Sequence, residues 1–114
     1  MMDGLAHGAT GMMPGAALVE VYAEIFRRYG VGQVDGARAL HHRLLPYLIF
    51  ALQHLELAVG IEKRVLCRRG VFPSERLREP TLHLDDGYQK QMDALVEDVI
   101  GLADGVKATA MAGA

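Results

Sequence analysis

The chain has 114 residues, 51% of them hydrophobic, a formal net charge of −2 and a single cysteine, Cys67. This length fits one domain, the apolar content excludes global disorder, and the slight negative charge argues against a dedicated nucleic-acid binder. One cysteine excludes an internal disulfide framework and a cysteine-based zinc site.

Met1–His7 reads as the end of a helix, with Met2, Leu5 and Ala6 on one side. Met1-Met2-Asp3-Gly4 lacks the basic stretch of a signal peptide. The most apolar window, Leu44–Gly60, is interrupted by Gln53, His54 and Glu56 and is too short to span a bilayer. A cytoplasmic setting, away from membranes, is the expectation. Thr10–Met13, bracketed by glycines and followed by Pro14-Gly15, reads as a short buried strand ending in a turn. From Ala16 the period becomes helical. Leu18, Val21, Tyr22, Ile25, Phe26 and Tyr29 form an apolar stripe opposite Glu20, Glu24, Arg27 and Arg28. Gly30 is expected to end that helix, with Val31–Val34 as a connector.

The organising stretch is the apolar run Gly36–Gly70. Leu40, Leu44, Leu48, Ala51 and Leu55 recur at helical spacing. Asp35 stands where an N-cap belongs, Gly70 where a C-terminal cap belongs, and Arg68 and Arg69 oppose the dipole of the last turn. Pro46 predicts a kink, because it lacks an N–H and crowds the preceding turn. Gln53, His54, Glu56 and Gly60 predict a turn near 53–57, so the run divides into two helices. Val71–Leu84, with Pro73 and Pro80, is an expected loop. Asp85 is the expected cap of a last helix that buries Met92, Leu95, Val96 and Val99. Gly101 or Gly105 is expected to end it, leaving Val106–Ala114 as a mobile tail.

These elements contain a contradiction. One strand has nothing to pair with, and burying its backbone polar groups unpaired costs about 1–3 kcal/mol each. A glycine-bracketed apolar strand, a turn and an amphipathic helix form a β–α unit, which belongs in a sheet of several copies. The chain therefore reads as the tail of a longer α/β protein.

Four stretches carry a resemblance that fits. Gly8-Ala9-Thr10-Gly11-Met12-Met13, Gly36-Ala37 followed by Leu44-Leu45-Pro46, Lys63 to Gly70, and Leu77-Arg78-Glu79-Pro80 stand in the order and spacing of one family. Over about Leu5–Leu102 the chain resembles the C-terminal part of the dihydrodipicolinate synthase / N-acetylneuraminate lyase family, the pyruvate-type class I aldolases. The resemblance implies a mostly α fragment of a (β/α)8 TIM barrel: the last strand and helix plus a three-helix C-terminal extension. Residues 1–30 would be the end of the barrel, 31–104 the helical extension and 105–114 the tail. It implies a lyase whose Schiff-base lysine and assisting tyrosine lie on strands upstream of Met1, so that this segment alone is inactive. It implies a 2-oxo acid or sugar-acid substrate, no cofactor and a homo-oligomer. The family's pocket-lining position at the end of strand eight falls on Met13. Where the family often has Ser next, this chain has Pro14-Gly15, which points toward a sugar-acid aldolase or dehydratase branch.

The chemistry-bearing residues read more plainly. Lys63, Lys90 and Lys107, the only lysines, lie on polar faces or in the tail, whereas a Schiff-base lysine must be desolvated. His41 and His42 are adjacent, so on a helix they point about 100° apart and do not share a metal ion. His54 reads as a helix-end residue and Cys67 as a small packing residue. Lys63, Arg64, Arg68 and Arg69 could touch phosphates, but in a chain of negative net charge a solvated helix face that complements the dipole is the favoured account. A reading of another class is a free-standing, non-catalytic helical interaction module, which has no use for the strand over Gly8–Gly15.

Overall fold

A computed structural model of the chain describes residues 1–113. In order it contains α1 (Met2–Ala6), a 3-10 turn (Ala16–Leu18), α2 (Val19–Gly30), α3 (Val34–Ala51), α4 (Leu55–Arg68) and α5 (Asp86–Ala112). The fold is mostly α, as expected, and no strand occurs among the described residues. No helix among them is long and apolar enough to cross a membrane.

Two compact units are present. One comprises Met1–Leu45 and the chain from Leu102 onward; the other comprises Pro46–Gly101. The first unit is built on helical stripes: Val21, Tyr22 and Ile25 on α2, Ala37, Leu40 and Leu44 on α3, and Leu102, Ala103 and Val106 on α5, all buried. Leu5, Ala17 and Leu18 complete this core, and Lys107 pairs with Glu20 at 3.3 Å. In the second unit the core consists of Tyr47, Phe50 and Ala51, then Leu57, Ile61 and Val65, then Met92, Val96 and Val99. Each set recurs every three or four residues, as one buried face of a helix requires. The Tyr47 hydroxyl donates to Glu62 Oε1 at 2.7 Å, which satisfies a phenol that is only 2% exposed. Pro46 lies inside α3. A proline there costs about 3 kcal/mol, and each large apolar side chain buried beside it returns about 1.5–3 kcal/mol. With Leu44, Tyr47 and Phe50 all buried, packing outweighs the defect and the helix continues through it.

The ends of the helices follow local chemistry. The only residues with positive φ among those described are glycines: Gly8, Gly32 and Gly70. Each closes the same motif. After α4, the Gly70 N–H donates to the Cys67 carbonyl and the Val71 N–H reaches back to the Leu66 carbonyl. After α2, Gly32 donates to Tyr29 and Gln33 to Arg28; after α1, Gly8 donates to Leu5 and Ala9 to Gly4. This is the paired bonding of a Schellman cap, whose left-handed residue is strained for any side chain bearing a Cβ. At the other ends, Asp85 Oδ1 accepts from the Tyr88 N–H at 2.9 Å to start α5, and His54 Nδ1 accepts from the Glu56 N–H at 3.2 Å to start α4.

Several expectations are corrected. The strand over Thr10–Met13 does not form; residues 9–15 are irregular. Without a neighbouring strand its N–H and C=O groups have no ladder to join, and water takes them instead. α2 does end at Gly30, as expected, and the left-handed turn that follows falls on Gly32. Asp35 is not a cap. α3 begins at Val34, with the Gln33 carbonyl accepting from the Ala37 N–H, and Asp35 pairs with Arg38 at 3.2 Å in the first turn. Leu55, expected on the buried stripe, is 78% exposed because the chain turns at residues 52–54 before α4 starts. Neither Gly101 nor Gly105 ends α5, which continues to Ala112 and buries Val106. The stretch expected as a tail is thus helical to that point; Ala114 lies outside the described residues.

Two expected outcomes test these assignments. Gly32→Ala and Gly70→Ala should each lower stability by about 1–2 kcal/mol, since each forces a Cβ into the left-handed region. Gly101→Ala and Gly105→Ala have open space around the new methyl and should each raise it by about 0.5–1 kcal/mol through helix propensity. Urea denaturation of the four variants checks both signs. The second outcome concerns Glu24, whose carboxyl is held down from 4.5 to about 2 by the hydrogen bond from Arg27, opposed by burial and reinforced by Arg28. A depressed carboxyl contributes stability that is full above its unfolded value and is lost as pH falls through the folded one. Between pH 4.5 and about 2 the wild type should therefore lose more stability than Glu24→Gln, measured by circular dichroism. Identical acid profiles would count against the pairing.

Candidate functional site

Met13, expected to line a substrate pocket, stands on the irregular segment after α1 and is fully exposed. Its neighbour Met12 is 40% exposed and forms the edge of an open apolar groove. Gly11, Met12 and Pro14 line one side, and Val19, Tyr22, Ala23 and Phe26 from α2 line the other, around a volume of about 260 Å³. The groove exists because α2 carries apolar residues on more than its core stripe. Val19 is 56% exposed although its neighbours Leu18 and Val21 are fully buried. Sequence reasoning placed Phe26 on the core stripe and left Val19 unassigned. The signal was present: Val19 and Ala23 extend the stripe beyond the width a single core face needs.

No lysine among the described residues is buried. Lys63 is half-buried, and Lys90 and Lys107 are exposed. Lys63 Nζ donates to the Arg76 carbonyl at 3.0 Å, and Lys107 pairs with Glu20. None has the dry, apolar surroundings that make an amine nucleophilic. His41 is half-buried and His42 exposed, with ring centroids 6.4 Å apart and planes tilted by 50°. Burial lowers the pKa of His41, the N-terminal ammonium and His42 lower it further, and Asp3 opposes them. No group of three or more His, Cys, Asp or Glu side chains among the described residues is arranged to hold a metal ion. Cys67 is a half-buried free thiol.

The basic cluster on α4 is a structural network. Arg64, whose side chain is 14% exposed, donates to Glu75 at 3.1 Å, to Asp93 at 3.0 Å and to Gln89 at 2.8 Å. Arg68 donates to Asp93 and Glu97. Burial opposes charge on Arg68, but the Glu97 hydrogen bond and the fields of Asp93, Glu97 and Glu75 outweigh it and raise its pKa. Sequence reasoning missed this pairing because the partners lie 11 to 29 residues apart. A trace was visible all the same: Gln89, Asp93 and Glu97 repeat every four residues on α5, as Arg64 and Arg68 do on α4.

In comparisons with known proteins, no family model, curated protein or solved structure matches the chain.

The network carries an expected outcome. Arg64→Met removes one guanidinium and strands three acceptors, so it should cost about 1–3 kcal/mol. Arg43→Met, at an exposed position, should stay within about 0.5 kcal/mol. Urea unfolding midpoints of the two variants give the comparison, and equal midpoints would remove Arg64 from its central role.

Proposed function

We propose that this chain is the C-terminal, non-catalytic part of a Schiff-base lyase of the dihydrodipicolinate synthase / N-acetylneuraminate lyase family, acting on a 2-oxo acid or sugar acid. The observation that supports it is the apolar groove along α2, open beside a segment that has the composition of a buried strand but no strand to pair with. On this reading Thr10–Met13, irregular in this chain, would pair as the eighth strand of a (β/α)8 barrel completed by upstream strands, α2 would be its eighth helix, and α3, α4 and α5 would form the extension. Active sites of such barrels lie at the C-terminal ends of the strands. Met13, just before Pro14-Gly15, would then stand at that rim and shape the pocket for the acid. The amine that attacks the 2-oxo carbon and the tyrosine that assists proton transfer would come from upstream strands. That division of labour fits the polar settings of Lys63, Lys90 and Lys107. The complete enzyme would work as a homo-oligomer.

A second reading is a non-catalytic helical interaction module. Ile49, Leu52, Leu55 and Val59, around the turn between α3 and α4, are 65%, 77%, 78% and 44% exposed. Apolar side chains gathered this way mark contact surfaces more often than scattered ones do.

An antibody against this chain, used on an extract of the source cells, separates the two. The lyase reading expects a polypeptide of barrel size, about 250 residues or more, that takes up pyruvate irreversibly on borohydride reduction. A small polypeptide that takes up no label would leave the module. In the complete enzyme, Met13→Trp should lower kcat/KM about tenfold or more with little change in Tm, because it crowds a pocket rim and leaves the core untouched. In the isolated chain, pyruvate and borohydride should yield no adduct by mass spectrometry.

A further inference from the structure

One basin in the Pro46–Gly101 unit gathers positive charge that its surroundings leave unneutralised. It has a volume of about 620 Å³ and is lined by Lys63, Arg76, Leu77, Arg78 and Glu79. Its rim is fixed. Leu77 is half-buried, with Cδ1 3.6 Å from where a Cβ on Gly60 would stand, while Arg76 and Arg78 on either side are exposed. The Arg76 N–H donates to Ser74 Oγ at 3.1 Å, and the Arg76 carbonyl accepts from Lys63 Nζ at 3.0 Å. That bond uses one of the three lysine donors and leaves two.

The charges do not cancel. The one carboxylate on the basin, Glu79, is turned to its own loop: Oε2 accepts from the Thr81 N–H at 3.1 Å, and Oε1 lies 3.4 Å from His83 Nε2. Glu75, on the same loop, is bound to Arg64. Among the described residues, neither Arg76 nor Arg78 has an ion pair or a side-chain hydrogen bond, whereas Arg64 and Arg68 in the same unit are each paired with two carboxylates. In a chain of net charge −2, three cations around one open volume form a local excess of the opposite sign.

We propose that the Lys63–Arg76–Arg78 basin binds a small phosphate monoester. A carboxylate offers two oxygens and one charge. A phosphate monoester offers three terminal oxygens and close to two charges at pH 7, which suits a volume lined by two arginines and a lysine. The basin is larger than a bare phosphate needs and falls within the range of small-molecule sites. Leu77 supplies an apolar wall for an organic body. The assignment stands independently of the lyase reading, since it uses no residue of the α2 groove and no catalytic lysine.

The test is calorimetric titration of the full chain, at constant ionic strength, with inorganic phosphate, glycerol phosphate and sodium chloride. Glycerol phosphate should bind with the highest affinity, inorganic phosphate more weakly, and chloride should show no saturable heat. Arg76→Gln with Arg78→Gln should weaken glycerol phosphate about tenfold or more, as loss of charge-assisted bonds requires. Arg43→Gln, in the other unit, should leave it unchanged. Glu79→Gln should tighten binding about threefold by removing the one opposing charge, a gain that a purely structural role for the loop would not give. Equal affinity for inorganic and glycerol phosphate would overturn the ester assignment. Unchanged binding in the double variant, or an equal loss in Arg43→Gln, would overturn the site.

Discussion

Arg64 is the interaction on which the Pro46–Gly101 unit depends. An arginine whose side chain is only 14% exposed is tolerable only where its donors are answered, and they are answered from two directions. Glu75 reaches it from the loop after α4, and Gln89 and Asp93 reach it from α5. One side chain thereby sets the distance between α4, α5 and the loop. Asp93 also accepts from Arg68, which extends the register by another turn toward Glu97. Once this ladder is set, Leu77 is drawn against α4 at Gly60, where a Cβ would already be in contact with Leu77 and Met92. A small internal space of about 60 Å³ remains beneath the loop, lined by Leu57, Leu77, Leu82, Leu84 and Met92 among others. The apolar contacts supply most of the energy; the arginine supplies the registry.

What the sequence discloses and what it conceals divide by range. Asp85 could be named as a cap because its partner, the Tyr88 N–H, is three residues away. Gly70 could be named because a left-handed residue is needed just beyond a helix, and the arginines before it mark the last turn. Of the expected stripe Met92, Leu95, Val96 and Val99, period alone gave the three buried members, and Leu95 is half-buried. The strand was misread for the opposite reason, since a strand is defined by a neighbour and no window of this chain contains one. Gly30 could be named as the end of α2 because the amphipathic stripe stops there, whereas the left-handed turn at Gly32 shows only in the paired bonds from Gly32 and Gln33. The continuation of α5 through Gly101 and Gly105 is a tertiary override. Each glycine costs about 1 kcal/mol against alanine, yet Leu102, Ala103 and Val106 beside them are buried and hold the helix.

The candidate site was legible only as residues. Met12 and Met13 could be singled out in sequence, but their setting could not. The groove beside them arises because Val19 and Ala23 widen the apolar face of α2 beyond what its own core covers. Conversely, the arginines that looked free in sequence, Arg64 and Arg68, are consumed by carboxylates far along the chain. The arginines that remain available, Arg76 and Arg78, sit in a loop whose lack of period made it look uninformative. Net charge could not reveal this, because a sum over the chain says nothing about where ion pairs cancel.

The segment between α1 and the 3-10 turn frames the remaining question physically. Thr10, Gly11, Met12 and Met13 each keep a backbone N–H, whereas Pro14 has none, so a ladder this segment joins loses a donor at Pro14. A strand of four residues cannot stand alone in water, and its side-chain sulfurs gain little from solvent. A helical module needs from this stretch only the cover that Met12 and Pro14 give the apolar residues of α2. Keeping two methionines, two bracketing glycines and a terminating proline there makes physical sense if other strands complete the ladder and the α2 groove is closed by a neighbouring layer. That requirement is the physical condition the proposed barrel reading has to meet, and the free-standing reading carries no such condition.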